Sequence, residues 1–131
     1  MTRILLVDDH KAVRQELHRM LEQQDAWTVC GEAENGRQAV DKFAKAHPDV
    51  VVMDFQMPEM NGLEATRQII KNSPGTPILM LTVYATSQLM EQARRAGVKG
   101  FCPKSEVHCI VEAVTTLLDG GTYFQNRALA K

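Results

Sequence analysis

Short apolar runs alternate along the chain with longer segments in which apolar residues recur every three or four positions. The runs at residues 4–7, 50–53 and 78–81 are continuous, which is typical of strands that are covered on both faces. Weaker runs at residues 27–30 and 100–103 predict two more strands. Pro103 indicates that the last of them ends there or lies at an edge, because proline has no amide hydrogen to donate.

The segments between these runs predict five helices, each with one apolar face. Residues with the spacing of helix caps support their ends. Asn35 and Asn61 are each followed three residues later by Gln or Glu, the spacing of a capping box, and Ser105 is a candidate cap for the last helix. Gly97 and Gly120 stand where helices commonly end. The apolar faces are Val13, Leu17, Met20 and Leu21; Val40, Phe43 and Ala44; Leu63, Thr66, Ile69 and Ile70; Leu89, Met90, Ala93 and Ala96; and Val107, Ile110, Val111, Val114, Leu117 and Leu118.

Five strands that are each followed by a helix predict an α/β fold with a parallel sheet and right-handed crossovers. The pattern continues to about Phe124. We therefore expect one domain over residues 1–124, with residues 125–131 forming a tail or the start of a linker to an output domain outside this chain.

The composition agrees with one ordinary globular domain. Apolar residues make up 44% of the 131 residues and charged residues 24%. The net charge of −1, from 15 basic and 16 acidic residues, gives no general attraction to nucleic acid. No apolar run approaches the roughly 20 residues of a membrane span, and residues 4–7 are too few for a signal peptide. The sequence therefore predicts a cytoplasmic protein with no membrane partner.

Three cysteines, Cys30, Cys102 and Cys109, form an odd set without a Cys-x-x-Cys spacing. In a reducing cytosol they are expected to be unpaired thiols in the core or at the surface.

Chemically active side chains follow the predicted strands. Asp8 and Asp9 come after the first, Asp54 ends the third, Thr82 ends the fourth, and Lys104 follows the fifth. Because the carboxyl ends of parallel strands meet at one edge of a sheet, we expect these side chains to lie together. Neighbouring carboxylates repel one another unless a cation compensates them.

Such an acidic cluster suits Mg²⁺, held by Asp8, Asp9, Asp54 and the backbone carbonyl of Gln56. It also favours phosphoryl transfer onto a carboxylate, in which the protein positions groups and neutralises charge. Asp54 would be the nucleophile and form an aspartyl-phosphate. Lys104 and the Thr82 hydroxyl would contact the transferred oxygens.

These residues, in this order, closely resemble the receiver domain of two-component response regulators, over about residues 3–124. The residues 8–10 (Asp-Asp-His) and the segments 96–105 and 120–124 are most similar to the LuxR-type (NarL/FixJ) branch. The motif that carries the resemblance is Asp8-Asp9, Asp54-x-x-Met57-Pro58-x-Met60-Asn61-Gly62, Thr82 and Lys104.

The resemblance implies a doubly wound (βα)5, flavodoxin-like and CheY-like three-layer sandwich with strand order 2-1-3-4-5. It implies that Asp54 accepts a phosphoryl group from a histidine kinase or phosphotransfer protein, and that Thr82 and Phe101 change position with it. The chain would be a phosphorylation-dependent switch rather than an enzyme of metabolism. Members of the branch usually control transcription through a helix-turn-helix domain, which is not in this chain, and some form homodimers.

Several alternatives stay open at the level of the sequence. Phe101 could be a plain core aromatic, Thr82 a cap for the fourth helix, and Lys104 a surface lysine. Val83 is larger than the Ala or Gly that many receivers carry there, which predicts restricted access to the site. The whole protein could be a stand-alone receiver that acts by protein contact. A Mg²⁺-dependent phosphohydrolase is more remote, since Gln56 stands where such enzymes commonly carry a second Asp, and a flavin-binding protein would need a phosphate-binding loop after the first strand.

Overall fold

The computed structural model describes residues 1–124, so the predicted tail over residues 125–131 lies outside the described residues. Strands and helices alternate as the sequence predicts, and none of the described helices is long and apolar enough to cross a membrane. The elements are β1 (Thr2–Val7), α1 (Lys11–Glu22), β2 (Trp27–Ala33), α2 (Gly36–Ala46), β3 (Val50–Asp54), α3 (Gly62–Asn72), β4 (Ile78–Thr82), α4 (Ser87–Ala96), β5 (Gly100–Pro103), α5 (Val107–Leu118) and β6 (Tyr123–Phe124).

The strands form one parallel sheet in the order β2-β1-β3-β4-β5-β6. The doubly wound fold and the order of the first five strands are confirmed. The structure adds a sixth strand, which the sequence does not predict because two residues show no periodicity. It lies beside β5, where the amide of Tyr123 donates to the carbonyl of Lys99 at 2.9 Å. Pro103 is the last residue of β5, so β5 ends there and is not the edge of the sheet.

The sheet separates two apolar cores, and alternate residues of each strand point into one or the other. On β1, Leu5 and Val7 join the core under α2, α3 and α4, whereas Ile4 and Leu6 join the core under α1 and α5. All four are buried. Burial on both faces explains why the central strands have continuous apolar runs rather than an alternating pattern.

Most of the predicted helix ends are confirmed. Asn35 and Asn61 accept hydrogen bonds from backbone amides three residues later at 2.8 and 3.0 Å, and Gly97 ends α4 with a positive φ of 112°. The predicted cap at Ser105 is wrong. The amide of Glu106 donates to the Pro103 carbonyl at 3.1 Å, so Ser105 lies inside a tight turn and Glu106 takes the capping position.

The prediction of three unpaired thiols is also wrong, because Cys102 on β5 and Cys109 on α5 form a disulfide. Their Cα atoms lie 6.3 Å apart across the loop that contains Lys104. They are seven positions apart in sequence, and the packing of α5 against β5 brings them together. Cys30 remains a free, partly buried thiol.

Reduction of this disulfide is expected to lower the free energy of unfolding by about 2.5 kcal/mol, the chain-entropy value for so short a loop. Denaturant unfolding with and without dithiothreitol measures the change. Cys109→Ser should have a free energy of unfolding that is lower by the same amount and does not change with dithiothreitol. Cys30→Ser should lose as much stability on reduction as the wild-type protein does. An unfolding midpoint of the wild-type protein that does not move on reduction would contradict the prediction.

Candidate functional site

The residues predicted to form a site lie at the carboxyl edge of the sheet. Asp8 and Asp9 directly follow β1, Asp54 is the last residue of β3, and Thr82 is the last residue of β4. Lys104 follows β5, and its amide donates to the Thr82 carbonyl at 2.9 Å, which holds the two strand ends together. Neighbouring parallel strands ending at the same level therefore bring these groups to one place.

The Lys104 ammonium lies between two of the carboxylates. Nζ is 2.8 Å from Asp8 Oδ2 and 3.3 Å from Asp54 Oδ2. All three side chains are largely buried, with exposed fractions of 12%, 1% and 5%. The alternative of Lys104 as a solvated surface lysine is therefore wrong. Burial lowers the pKa of Lys104, but the contacts with both carboxylates outweigh it and raise the pKa above its ordinary value.

The surroundings of Asp54 disfavour its ionised form. Burial, followed by the negative charge of Asp8, raises its pKa from 3.8 to about 6, and the opposing effect of Lys104 is smaller. The carboxylate form still predominates at neutral pH. Asp54 is thus a carboxylate with little solvation, next to a cation that can contact an incoming negative group.

The chemistry of the donor set fits a divalent cation. Among the residues that the structure describes here, three carboxylates face one ammonium group, so the negative charges outnumber this positive charge by two. Asp9 Oδ1 is buried and accepts no hydrogen bond from any residue that the structure describes. The ligand atoms of Asp8, Asp9 and His10 lie within 4.8 Å of one another. His10 itself is 72% exposed, with Nδ1 3.4 Å from Asp9 Oδ1, as expected for a surface histidine beside the site.

Gln56 lies in the loop after β3, two residues beyond Asp54, and its side chain is exposed. The loop is held by Gly62, whose amide donates to the Phe55 carbonyl at 2.8 Å. A Cβ atom at Gly62 would lie 2.5 Å from the Asp54 carbonyl oxygen, so a side chain there would displace the backbone that carries Asp54. Gly62, the glycine of the predicted motif, therefore helps to hold the backbone at Asp54 in place.

Thr82 and Phe101, the two predicted switch residues, are both buried. Thr82 Oγ1 accepts a hydrogen bond from the amide of Tyr84 at 3.0 Å. The alternative of Thr82 as the cap of α4 is wrong, because the Thr86 side chain accepts from the Leu89 amide and takes that position. Phe101 points into the core under α2, α3 and α4.

A depression of about 310 Å³ opens beside the Lys104 ammonium. It is lined by His10, Val13, Val83, Lys104 and Ser105. Val83 forms part of its wall but is 63% exposed, so its side chain projects largely into solvent.

Arg14 also contacts the site, although it is not among the residues predicted to do so. Its guanidinium Nη1 donates to the backbone carbonyl of Asp8 at 2.7 Å, and Nε donates to Glu32 at 2.8 Å. The available signal was weak: a basic residue in the first turns of α1 and an acidic residue near the carboxyl end of the neighbouring strand β2.

The order of strands and helices, together with an acidic cluster at the carboxyl edge of the sheet, defines a doubly wound α/β protein of the CheY-like type. The chain belongs to the response regulator receiver domain family, whose model matches residues 4–115. The predicted family is confirmed.

Two relatives differ in how much of their own length this chain matches. Transcriptional regulatory protein YdfI of Bacillus subtilis (strain 168) is 45% identical over 104 residues, which cover 79% of this chain and 48% of YdfI. Protein CcdB of the same strain is 36% identical over 119 residues, which cover 90% of this chain and 98% of CcdB. The chain thus spans about half of YdfI and nearly all of CcdB.

Among solved structures, a LuxR-family two-component response regulator from Aurantimonas sp. SI85-9A1 superposes with a TM-score of 0.94 at 33% identity. The match covers 99% of this chain and 94% of that chain. The predicted similarity to the LuxR-type branch is confirmed.

Proposed function

We propose that the chain is a phosphorylation-controlled switch in which Asp54 accepts the phosphoryl group. The observation that carries this proposal is the position of Asp54, which is 4% exposed, ends β3 and has Oδ2 3.3 Å from the Lys104 ammonium. The two further acids of the site, Asp8 and Asp9, would hold a cation rather than react. A match to the receiver family supports the same assignment.

In the proposed step, a carboxylate oxygen of Asp54 attacks the phosphorus atom of a phosphohistidine on a histidine kinase or phosphotransfer protein. An O–P bond forms, the P–N bond breaks, and the electron pair leaves with the imidazole nitrogen, which then binds a proton. Lys104 contacts one phosphoryl oxygen and stabilises its charge. Mg²⁺ bound by Asp8, Asp9, Asp54 and the Gln56 carbonyl would supply charge neutralisation at the remaining oxygens.

Thr82 would couple the phosphoryl group on Asp54 to a change in the rest of the fold. Its hydroxyl oxygen accepts from the Tyr84 amide at 3.0 Å, which leaves the hydroxyl hydrogen to donate to a phosphoryl oxygen on Asp54. Movement of Thr82 would make room for Phe101 to change rotamer. Phosphorylation would then shift a two-state equilibrium through contacts that exist only in the active state.

The output that we propose is transcriptional control, through a helix-turn-helix domain outside this chain. The name of YdfI and its greater length support this output. The alternative is a stand-alone receiver that acts by protein contact, and the nearly full-length match to CcdB favours it. Homodimerisation on phosphorylation would fit either output. A histidine kinase uses ATP, so such a kinase as the phosphoryl donor would favour a cytoplasmic location.

A switch of this kind catalyses its own phosphorylation and dephosphorylation but does not turn over a metabolite. Gln56, an uncharged residue, stands two positions after Asp54, where an aspartyl phosphohydrolase commonly carries a general acid. We therefore infer no phosphatase activity toward added phosphomonoesters.

Incubation with Mg²⁺ and a small acyl phosphate is expected to add one phosphoryl group to the wild-type chain, as measured by intact mass. The gain should be absent in EDTA. Hydroxylamine should remove it, because hydroxylamine cleaves acyl phosphates but not phosphate esters of Ser or Thr. A histidine kinase is the second donor, because Val83 could exclude small ones. No gain with either donor, or a gain that resists hydroxylamine, would contradict the proposal.

A further inference from the structure

The backbone that carries the acid pair is fixed at three points around Asp8. The Asp8 amide donates to the Ala33 carbonyl at 3.0 Å, and Asp8 Oδ1 accepts from the His10 amide at 2.8 Å. The Asp8 carbonyl accepts from Arg14 Nη1 at 2.7 Å. The first contact joins two backbone groups, and the second closes a local turn through the Asp8 side chain. Arg14 adds a side chain from α1 that binds the backbone of this loop, whereas Lys104 binds the Asp8 carboxylate.

Arg14 is itself held in place by Glu32 on β2. Nε donates to Glu32 Oε1 at 2.8 Å, and the Arg14 side chain is only 13% exposed. The other oxygen of Glu32 lies 2.5 Å from His18 Nδ1, and His18 Nε2 is 3.2 Å from Glu22. Burial raises the pKa of Glu32, but the hydrogen bonds from His18 and Arg14 outweigh it and hold the pKa below its ordinary value. Glu32 is therefore an anion at neutral pH.

The two hydrogen bonds that Arg14 donates require a guanidinium group. One planar side chain donates from Nε to a carboxylate on β2 and from Nη1 to a carbonyl at the start of the β1–α1 loop. A lysine ammonium has similar charge but no rigid pair of donors, and it could not keep both acceptors in this fixed relation. The charge alone would not explain the arrangement, because a positive group beside a cation site repels the cation.

We propose that Arg14 is a positioning residue for the cation site: by fixing the Asp8 carbonyl against Glu32, it orients Asp8 and Asp9 toward Mg²⁺. This inference rests on the proposed function, since it assigns Arg14 a role at the same site. Arg14 acts through the loop that bears the acids and does not contact the reacting groups. Residues that orient metal ligands in this way commonly affect metal affinity by tenfold or more.

The test is Mg²⁺ affinity, measured by titration calorimetry of the wild-type chain, Arg14→Met, Arg14→Lys and Glu32→Gln. Positioning predicts that both Arg14 variants bind Mg²⁺ about tenfold more weakly, because both lose the paired donors. Glu32→Gln keeps an oxygen that can accept from Arg14 Nε, so its Mg²⁺ affinity should fall less than that of the Arg14 variants. Arg19→Met is the matched control, because Arg19 lies on the same helix, is 66% exposed and contacts only Glu16 among the partners described for its side chain.

Thermal unfolding of each variant separates positioning from a purely structural role. A lower melting temperature with unchanged Mg²⁺ affinity in both Arg14 variants would overturn the inference, since Arg14 would then only join α1 to β2. Tighter Mg²⁺ binding by Arg14→Met would also overturn it, because simple charge repulsion would be the dominant effect. If an Arg14 variant does not fold, Glu32→Ala, which removes the acceptor of Arg14 Nε, decides by the same comparison of Mg²⁺ affinity with melting temperature. A wild-type chain that binds no Mg²⁺ would overturn the proposed function, and this inference with it.

Discussion

Asp54→Asn is expected to take up no phosphoryl group and to be more stable than the wild-type chain. The loss of uptake follows because an amide oxygen is a poor nucleophile and because, in the proposed function, Asp54 is the acid that reacts while Asp8 and Asp9 hold the cation. The gain in stability follows from the pKa. Raising it from 3.8 to about 6 corresponds to about 3 kcal/mol of unfavourable free energy when the group is ionised.

The stability difference should depend on pH in a defined direction. A carboxyl group whose pKa is raised by folding binds its proton more tightly in the native state, so the wild-type chain loses stability as the pH rises from about 4 to about 6. Asp54→Asn lacks this loss. The two proteins should therefore differ little near pH 4, and the variant should be more stable by about 3 kcal/mol at neutral pH in EDTA. Denaturant unfolding across this pH range measures the difference.

A surface variant provides the control. Asp41 on α2 is exposed, and Asp41→Asn should keep both the phosphoryl uptake and the pH profile of the wild-type chain. Saturating Mg²⁺ should reduce the advantage of Asp54→Asn, because the cation stabilises the ionised carboxylate only in the wild-type protein. Uptake by Asp54→Asn, or a stability difference that is the same at every pH, would contradict the prediction.

The features that could be predicted from the sequence are those that depend on local pattern. Continuous apolar runs indicate strands buried on both faces, and each central run ends at a polar residue that lies at the carboxyl edge of the sheet. The pattern therefore predicts the positions of Asp54 and Thr82 at this edge, and the structure confirms them. The asparagine caps were also correct, because Asn35 bonds an amide only three residues away.

The features that were missed depend on how separate helices and strands pack against one another. Cys102 and Cys109 meet because α5 packs on β5, and Arg14 meets Glu32 because β2 lies beside β1. The spacing of residues along the chain carries no information about such pairs. The same reason applies to Lys104, whose position after β5 was predicted but whose contacts with two carboxylates, at 2.8 and 3.3 Å, were not.

Lys104→Met is expected to lower the free energy of unfolding by about 3 kcal/mol at neutral pH in EDTA, since removing one partner of a buried ion pair leaves the other charge uncompensated. Methionine keeps the length and much of the volume of lysine but has no charge. Without the ammonium, the pKa of Asp54 should rise further above its ordinary value. The deficit should therefore shrink as the pH falls and Asp54 becomes protonated.

Two comparisons determine whether charge compensation causes this loss. In the double variant Lys104→Met with Asp54→Asn, much of the lost stability should return, with a coupling free energy of about 1–3 kcal/mol. Mg²⁺ should restore stability to Lys104→Met more than to the wild-type chain, because the cation replaces the missing positive charge. Lys99 precedes β5 and is exposed, so Lys99→Met should change stability by no more than about 0.5 kcal/mol. If Lys104→Met were as stable as Lys99→Met, the ammonium would not be compensating the buried acids, and the cluster would have to be stable through its hydrogen bonds alone.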